Sequence, residues 1–187
     1  LLRDPAGARW AAVFDADAQA QDVGLAGRHL YARSFNGATR YRLLRHDLSR
    51  PGAPPVEVVP QQAGVIDAMK VAQDGVYYVV RTGSISELFR WRHGSAPGRA
   101  ERVALPFAGA VTLLDGHAHR PGVVISLEGW THELQILQVR GTRVRPTDLV
   151  PPSARSVGAD WVAEEATCPG HDGVSVPMSI VHRRGLA

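Results

Sequence analysis

Four groups of side chains in this sequence could do chemistry, and each has a plainer reading. His117 and His119 lie two apart in the segment 115–121. On a strand they would point the same way and could share a metal ion. Such sites need three or four ligands, and no third ligand stands close in sequence, so solvated loop histidines are expected. Cys168 is the single cysteine. It excludes an intramolecular disulfide, and no basic neighbour favours its thiolate, so an inert, buried thiol is expected. Glu164 and Glu165 could form a carboxylate pair for acid–base work. Adjacent residues on a strand face opposite ways, which keeps the two from sharing a substrate and leaves them on a solvated edge. Trp91, Trp130 and Trp161 could be binding aromatics, but wedging between packed sheets is the expected use at their positions; Trp10 fits no pattern. No catalytic residue, cofactor site or metal ligand is assigned, and no cofactor is expected.

The elements that would position such groups come from a chain of 187 residues, enough for one domain with a core. Lys70 is the only lysine among 21 basic residues, and the net charge is +3. The arginines fall in small separate groups: Arg40, Arg42 and Arg45; Arg90 and Arg92; Arg140, Arg143 and Arg145. A nucleic-acid footprint needs a contiguous basic stripe, so no nucleic-acid partner is expected. No apolar run approaches the ~18 residues that cross a bilayer, and no membrane partner is expected. The first residue is Leu1 rather than methionine, and the last lies within an element, so both ends are expected to be boundaries inside a longer protein. Nothing assigns a compartment.

The strongest signal is an internal repeat. Gly37, Gly83 and Gly129 are 46 residues apart each time. Val59-Pro60, Leu105-Pro106 and Val150-Pro151 mark a second register, 46 and then 45 apart. Glu87-Leu88 and Glu133-Leu134 repeat at 46, and Leu30-Tyr31, Val76-Tyr77 and Val123-Val124 at 46 and 47. Each unit holds the same succession of short β-rich runs bounded by turn residues. The first predicts strands at 22–25, 29–34, 41–47 and 56–59. The second predicts 65–71, 76–81, 86–92 and 101–104. The third predicts 111–114, 123–128, 133–139 and 144–149. Four antiparallel strands in about 40–50 residues is the signature of a β-propeller blade. A β-sandwich also has short strands but does not repeat its turn glycines at a constant spacing. Propellers close with about four to eight blades, so three units imply further blades on the N-terminal side. Inner strands such as Val76–Val80 are apolar on both faces, as stacking between two neighbours requires. The outer runs 99–102 and 140–145 are charged, as exposed edges are.

After Pro151-Pro152 the pattern changes. Residues 153–160 read as a linker. Residues 161–168 and 174–182 form two longer strands around Pro169-Gly170-His171-Asp172-Gly173, where Asp172-Gly173 is a hairpin signal. Pro177 cannot donate to a ladder, so its strand belongs at an edge or a bulge.

The run His171-Asp172-Gly173-Val174-Ser175-Val176-Pro177-Met178-Ser179-Ile180 resembles the DG-x-x-VP-x-x-I hairpin with which the prolyl oligopeptidase family begins its α/β-hydrolase domain. Leu105-Pro106-Phe107-Ala108-Gly109-Ala110-Val111 resembles that family's LPF-G-V blade boundary, and Trp130-Thr131 its WT at the final blade. The resemblance implies a seven-bladed propeller over a hydrolase domain with a Ser/Asp/His triad, the propeller admitting short peptides and keeping folded proteins out. The expected fold is therefore all-β: propeller blades of four antiparallel strands, about three of seven, followed by a β-hairpin. The expected organisation is an incomplete preceding blade at 1–20, the last three blades at 21–152, an interdomain linker at 153–160, and the first hairpin of the hydrolase domain at 161–187. The implied partners are short peptide substrates of the parent enzyme, together with the missing blades and the hydrolase domain. The open sheet faces also lead to an expectation of self-association. The family's nucleophile sits in a G-x-S-x-G elbow, and no such motif occurs here. The nearest string, Gly83-Ser84-Ile85-Ser86-Glu87, has isoleucine at the serine position. Of the family's function only substrate gating is then expected of this chain, which by itself should be inactive. The alternative is a stand-alone propeller that serves as a binding scaffold for protein or peptide partners.

Overall fold

Five consecutive residues, Val76 to Val80, are all buried, and they show how the sequence builds its layers. Side chains alternate across a strand. Tyr77 and Val79 pack into one apolar cluster, with Leu88, Val111, Ile125 and Leu137. Val76, Tyr78 and Val80 pack into another, with Tyr31, Leu43, Ile66 and Trp91. One strand thus feeds two cores, and the sheet carrying it is sandwiched between two others.

The computed structural model describes residues 2–3, 10–14, 16–50, 52–150 and 160–186. Among these there is no α-helix, only a single 3₁₀ turn at Ala16–Ala18. A short antiparallel pair, β1 (Leu2–Arg3) and β2 (Trp10–Ala11), comes first. The first four-stranded sheet is β3 (Ala20–Ala26), β4 (His29–Ser34), β5 (Arg42–Asp47) and β6 (Val56–Val59). The second is β7 (Val65–Ala72), β8 (Gly75–Thr82), β9 (Ile85–Trp91) and β10 (Ala100–Val103). The third is β11 (Ala110–Gly116), β12 (Val123–Gly129), β13 (His132–Arg140) and β14 (Arg143–Pro146). A final hairpin joins β15 (Trp161–Pro169) and β16 (Ser175–Arg183).

All pairings are antiparallel and follow chain order within each sheet. The first strand of each sheet meets the first strand of the next, β3 against β7 and β7 against β11. Three four-stranded blades therefore stand around a common axis, with β3, β7 and β11 innermost. Each innermost strand carries a bulge, at Gln21/Val23, Ile66/Ala68 and Leu113/Asp115. Backbone hydrogen bonds cross between blades, from Ile66 N–H to Arg40 O (3.0 Å) and from Ser86 N–H to Gly109 O (2.9 Å).

The turn between β11 and β12 ends on Gly122 at φ +84°, a left-handed conformation that glycine adopts without penalty. A Cβ there would stand 2.0 Å from Val139 O, so the site excludes side chains on space as well.

The repeat predicts all twelve blade strands, and the Asp172-Gly173 turn signal predicts both hairpin strands. Most bounds agree to within two residues, and one shifts by more. The last blade strand, expected over 144–149, ends at Pro146. Proline offers no N–H to continue the ladder, and the N–H and hydroxyl of Thr147 both turn back to Ile136 O, at 3.0 and 2.7 Å. The expected linker lies outside the described residues except for Asp160, as does much of segment 1–20.

Candidate functional site: blade joints, an axial cleft and a docked hairpin

The polar groups that sequence reasoning could not assemble meet at the joints between blades. Between the first and second blades, the Tyr31 hydroxyl donates to His93 Nδ1 (2.9 Å), and His93 Nε2 contacts Ala72 O at 2.8 Å. A carbonyl can only accept, so His93 carries its proton on Nε2. Burial pushes the Tyr31 phenol up to about 12. Arg33, itself buried, bridges the same joint by donating to Ile66 O (3.0 Å) and pairing with Asp22 (2.9 Å).

Between the second and third blades the side-chain fastening centres on one carboxylate and on Tyr77, whose hydroxyl oxygen accepts the Gly141 N–H (2.8 Å). Asp74 Oδ1 accepts the Gly122 N–H (2.7 Å). Its Oδ2 accepts the Tyr77 hydroxyl (2.7 Å), the Arg90 guanidinium (2.9 Å) and the Gly141 N–H (3.2 Å). Arg90 also holds Glu101 at 2.6 Å. Burial alone would push the Asp74 carboxyl up. The donors from Gly122, Tyr77 and Arg90 outweigh it and hold the group below the usual carboxylate range.

A cleft of about 390 Å³ opens along the innermost strands, at the end where they run out. Gly24, Lys70 and Gly116 lie side by side there, with His117 and His119 on the rim. The two histidines are exposed, as expected of loop residues, and the His119 N–H donates to His117 Nδ1 (3.2 Å). Among the described residues no group of His, Cys, Asp or Glu comes together in a way that could hold a metal ion.

At the opposite end of the same blades, the β15–β16 hairpin touches the β8–β9 turn. Ser84 Oγ donates to Glu165 Oε1 (2.7 Å), and Ser179 Oγ donates to the same oxygen (2.6 Å). Each hydroxyl has one proton, and both protons point at the carboxylate, so the 3.0 Å approach of Ser84 to Ser179 is a contact between oxygens. The hydroxyls of Ser179 and Ser84 hold the Glu165 carboxyl below its ordinary range. Glu164 points the other way, 3.5 Å from His182, as strand alternation requires. Glu165 is therefore not merely on a solvated edge: it fastens the hairpin to a blade. Ser84→Ala is expected to speed amide exchange across β15 and β16 while leaving β8 unchanged. Equal exchange in both proteins would show that the hairpin is held by other contacts.

Three further expectations are corrected. Cys168 is exposed rather than buried, because it lies on the open face of the hairpin. Trp130, 58% exposed, projects from the β12–β13 turn beyond the packed sheet faces. Trp161 is 38% exposed at the start of the hairpin, with the Arg183 guanidinium 5.6 Å from its ring centre. Of the three tryptophans only Trp91 is a wedge between blades.

No protein-family model matches the sequence, and no curated protein matches it. Solved structures do. A structure from a study of two prolyl endopeptidases, concerned with inter-domain dynamics in catalysis and specificity, aligns over 89% of this chain and 24% of its own, with a TM-score of 0.72 and 22% identity. The three blades have the fold of a prolyl oligopeptidase propeller. Oligopeptidase B from Leishmania major aligns over 89% of this chain and 25% of its own, with a TM-score of 0.72 and 15% identity. Apo prolyl oligopeptidase B from Galerina marginata gives 0.65 and 16%, over 89% and 24%. The chain thus spans about a quarter of the length of these prolyl oligopeptidase-type structures. At such identities the likeness is one of fold.

Proposed function

We propose that this chain is the propeller section of a prolyl oligopeptidase-like serine peptidase, and that its contribution to the enzyme is steric. Blades around an axis restrict what reaches a catalytic domain seated on one end, so short peptides pass and folded proteins do not. The observation that carries this reading is the hairpin. A segment bearing the DG-x-x-VP pattern follows the blades and docks on one end of them through Glu165. Its other face exposes Val176, Met178 and Ile180, an apolar row suited to packing against further sheet. The segment around 153–160 would then act as the hinge on which the two domains open.

The test is the protein that contains this chain. The reading frame after Ala187 is expected to continue for roughly 230 residues, about another domain, and to contain a G-x-S-x-G elbow. The purified whole protein is expected to cleave a proline-directed chromogenic peptide and to spare the same sequence inside a folded domain. The 187-residue chain alone is expected to be inactive. A frame that stops shortly after Gly185, or serine-dependent turnover by the isolated chain, would overturn the proposal.

A further inference from the structure

We propose that the cleft at the end of the innermost strands binds a carboxylate, such as the C-terminus of a peptide, on Lys70. Three features converge there. The first is a repeat register: Gly24, Lys70 and Gly116 are each 46 residues apart, so the three blades offer glycine, lysine and glycine at one level of the axis. The second is the closeness of the strands at that level. A Cβ on Gly24 would lie 2.4 Å from Val71 Cγ2, and one on Gly116 would lie 2.9 Å from Lys70 Cβ. Glycine on both sides lets β3 and β11 close on β7 and leaves the floor of the cleft clear around a single ammonium group.

The third feature is charge. Lys70 makes no ion pair among the described residues, although it is partly buried and stands in a concavity. The carboxylate on the rim, Asp22, is taken by Arg33 at 2.9 Å. His117 and His119 line the same cleft and bring no negative charge to it. An unpaired cation in a partly enclosed site attracts an anion more strongly than it would in open water, because the effective dielectric is lower. The volume, about 390 Å³, suits the end of a peptide rather than a folded surface. The register places this cleft away from the hairpin: β7 meets β8 as Ala72 with Gly75 at the cleft end and as Val65 with Arg81 at the hairpin end. A peptide held on Lys70 would therefore sit at the far mouth of the axial passage, held by its C-terminus. The proposal stands on the propeller fold and not on the peptidase reading, since a stand-alone scaffold would bind in the same way.

The single lysine makes the test direct. Chain labelled with ¹⁵N-lysine gives one backbone amide signal, that of Lys70. N-acetyl-tetra-alanine with a free C-terminus is expected to shift that signal saturably, and its C-terminal carboxamide at least tenfold less well. Lys70→Arg is expected to keep binding, read as saturation transfer to the peptide methyl groups, and Lys70→Met to lose it. Acetylating the one lysine side chain of the already folded protein removes the same charge without passing through folding, and is also expected to abolish binding. An equal response to acid and amide, an absence of any saturable shift, or binding that survives acetylation would overturn the proposal.

Discussion

Trp91→Ala is expected to cost the chain about 4 kcal/mol, within the range for emptying a buried aromatic site. The indole is fully buried where the first and second blades stack. Tyr31 lies 6.1 Å away, centre to centre and tilted by 59°, and His93 meets the indole edge-on at 6.4 Å. The indole N–H donates to Ala96 O (3.2 Å), which ties the loop after β9 to the strand that carries the ring. Alanine would remove the wedge, open a cavity between two sheets and release that loop. Trp91→Phe keeps most of the volume but loses the hydrogen bond, and is expected to cost roughly half as much. Urea unfolding monitored by far-UV dichroism measures both. A loss below about 1 kcal/mol for the alanine variant would mean that the joint re-packs, as some core sites do. Against a usual stability of about 5–15 kcal/mol the larger loss is a substantial share.

Asp74→Ala is the second large effect, expected at about 3 kcal/mol. It strips a partner from Gly122 N–H and from the Arg90 guanidinium, and weakens the hold on Gly141. Asp74→Asn keeps the shape and one acceptor oxygen but removes the charge, so it separates electrostatic attraction from hydrogen-bond geometry. The native residue carries a pH signature too. Its folded pKa is depressed, so the unfolded chain takes up the proton first as pH falls. The stabilisation is fully present above the unfolded value of about 3.9 and is lost as pH drops through the lower folded value. Urea midpoints measured from pH 6 down to pH 2 should fall for the wild type and flatten for Asp74→Asn in the acid range. Parallel curves for the two would place the acid sensitivity elsewhere.

The architecture was legible because it depends on local, repeated chemistry. Valine and tyrosine in the inner strands and turn glycines at a 46-residue spacing announce a blade without reference to any other blade. The register of Gly24, Lys70 and Gly116 has the same spacing but does not stand out in the sequence, since a lysine between two glycines carries no common residue type. The fastening at Asp74 was hidden for a different reason. Its partners Gly122 and Gly141 lie 48 and 67 residues away and contribute backbone groups, which have no letter in the sequence. Ser84 and Glu165 are 81 residues apart and meet only because a hairpin folds back across a turn. Trp130 misled because spacing locates an element's end without saying whether the side chain there lies over the stacked face or past it.

The two joints are built from different polar chemistry, and that difference has a consequence for assembly. Three sheets of nearly the same length and pattern can, during folding, be offered the wrong neighbour, a characteristic hazard of repeat proteins. Apolar faces alone would discriminate poorly between such pairings. Here the seam behind the second blade needs a tyrosine hydroxyl to meet His93, and the seam ahead of it needs two glycine N–H groups to meet Asp74. A swapped or skipped blade would leave a carboxylate or an imidazole facing sheet with no complement. Each seam thus carries an address, and the order of blades around the axis is written in unlike polar locks as well as in chain connectivity.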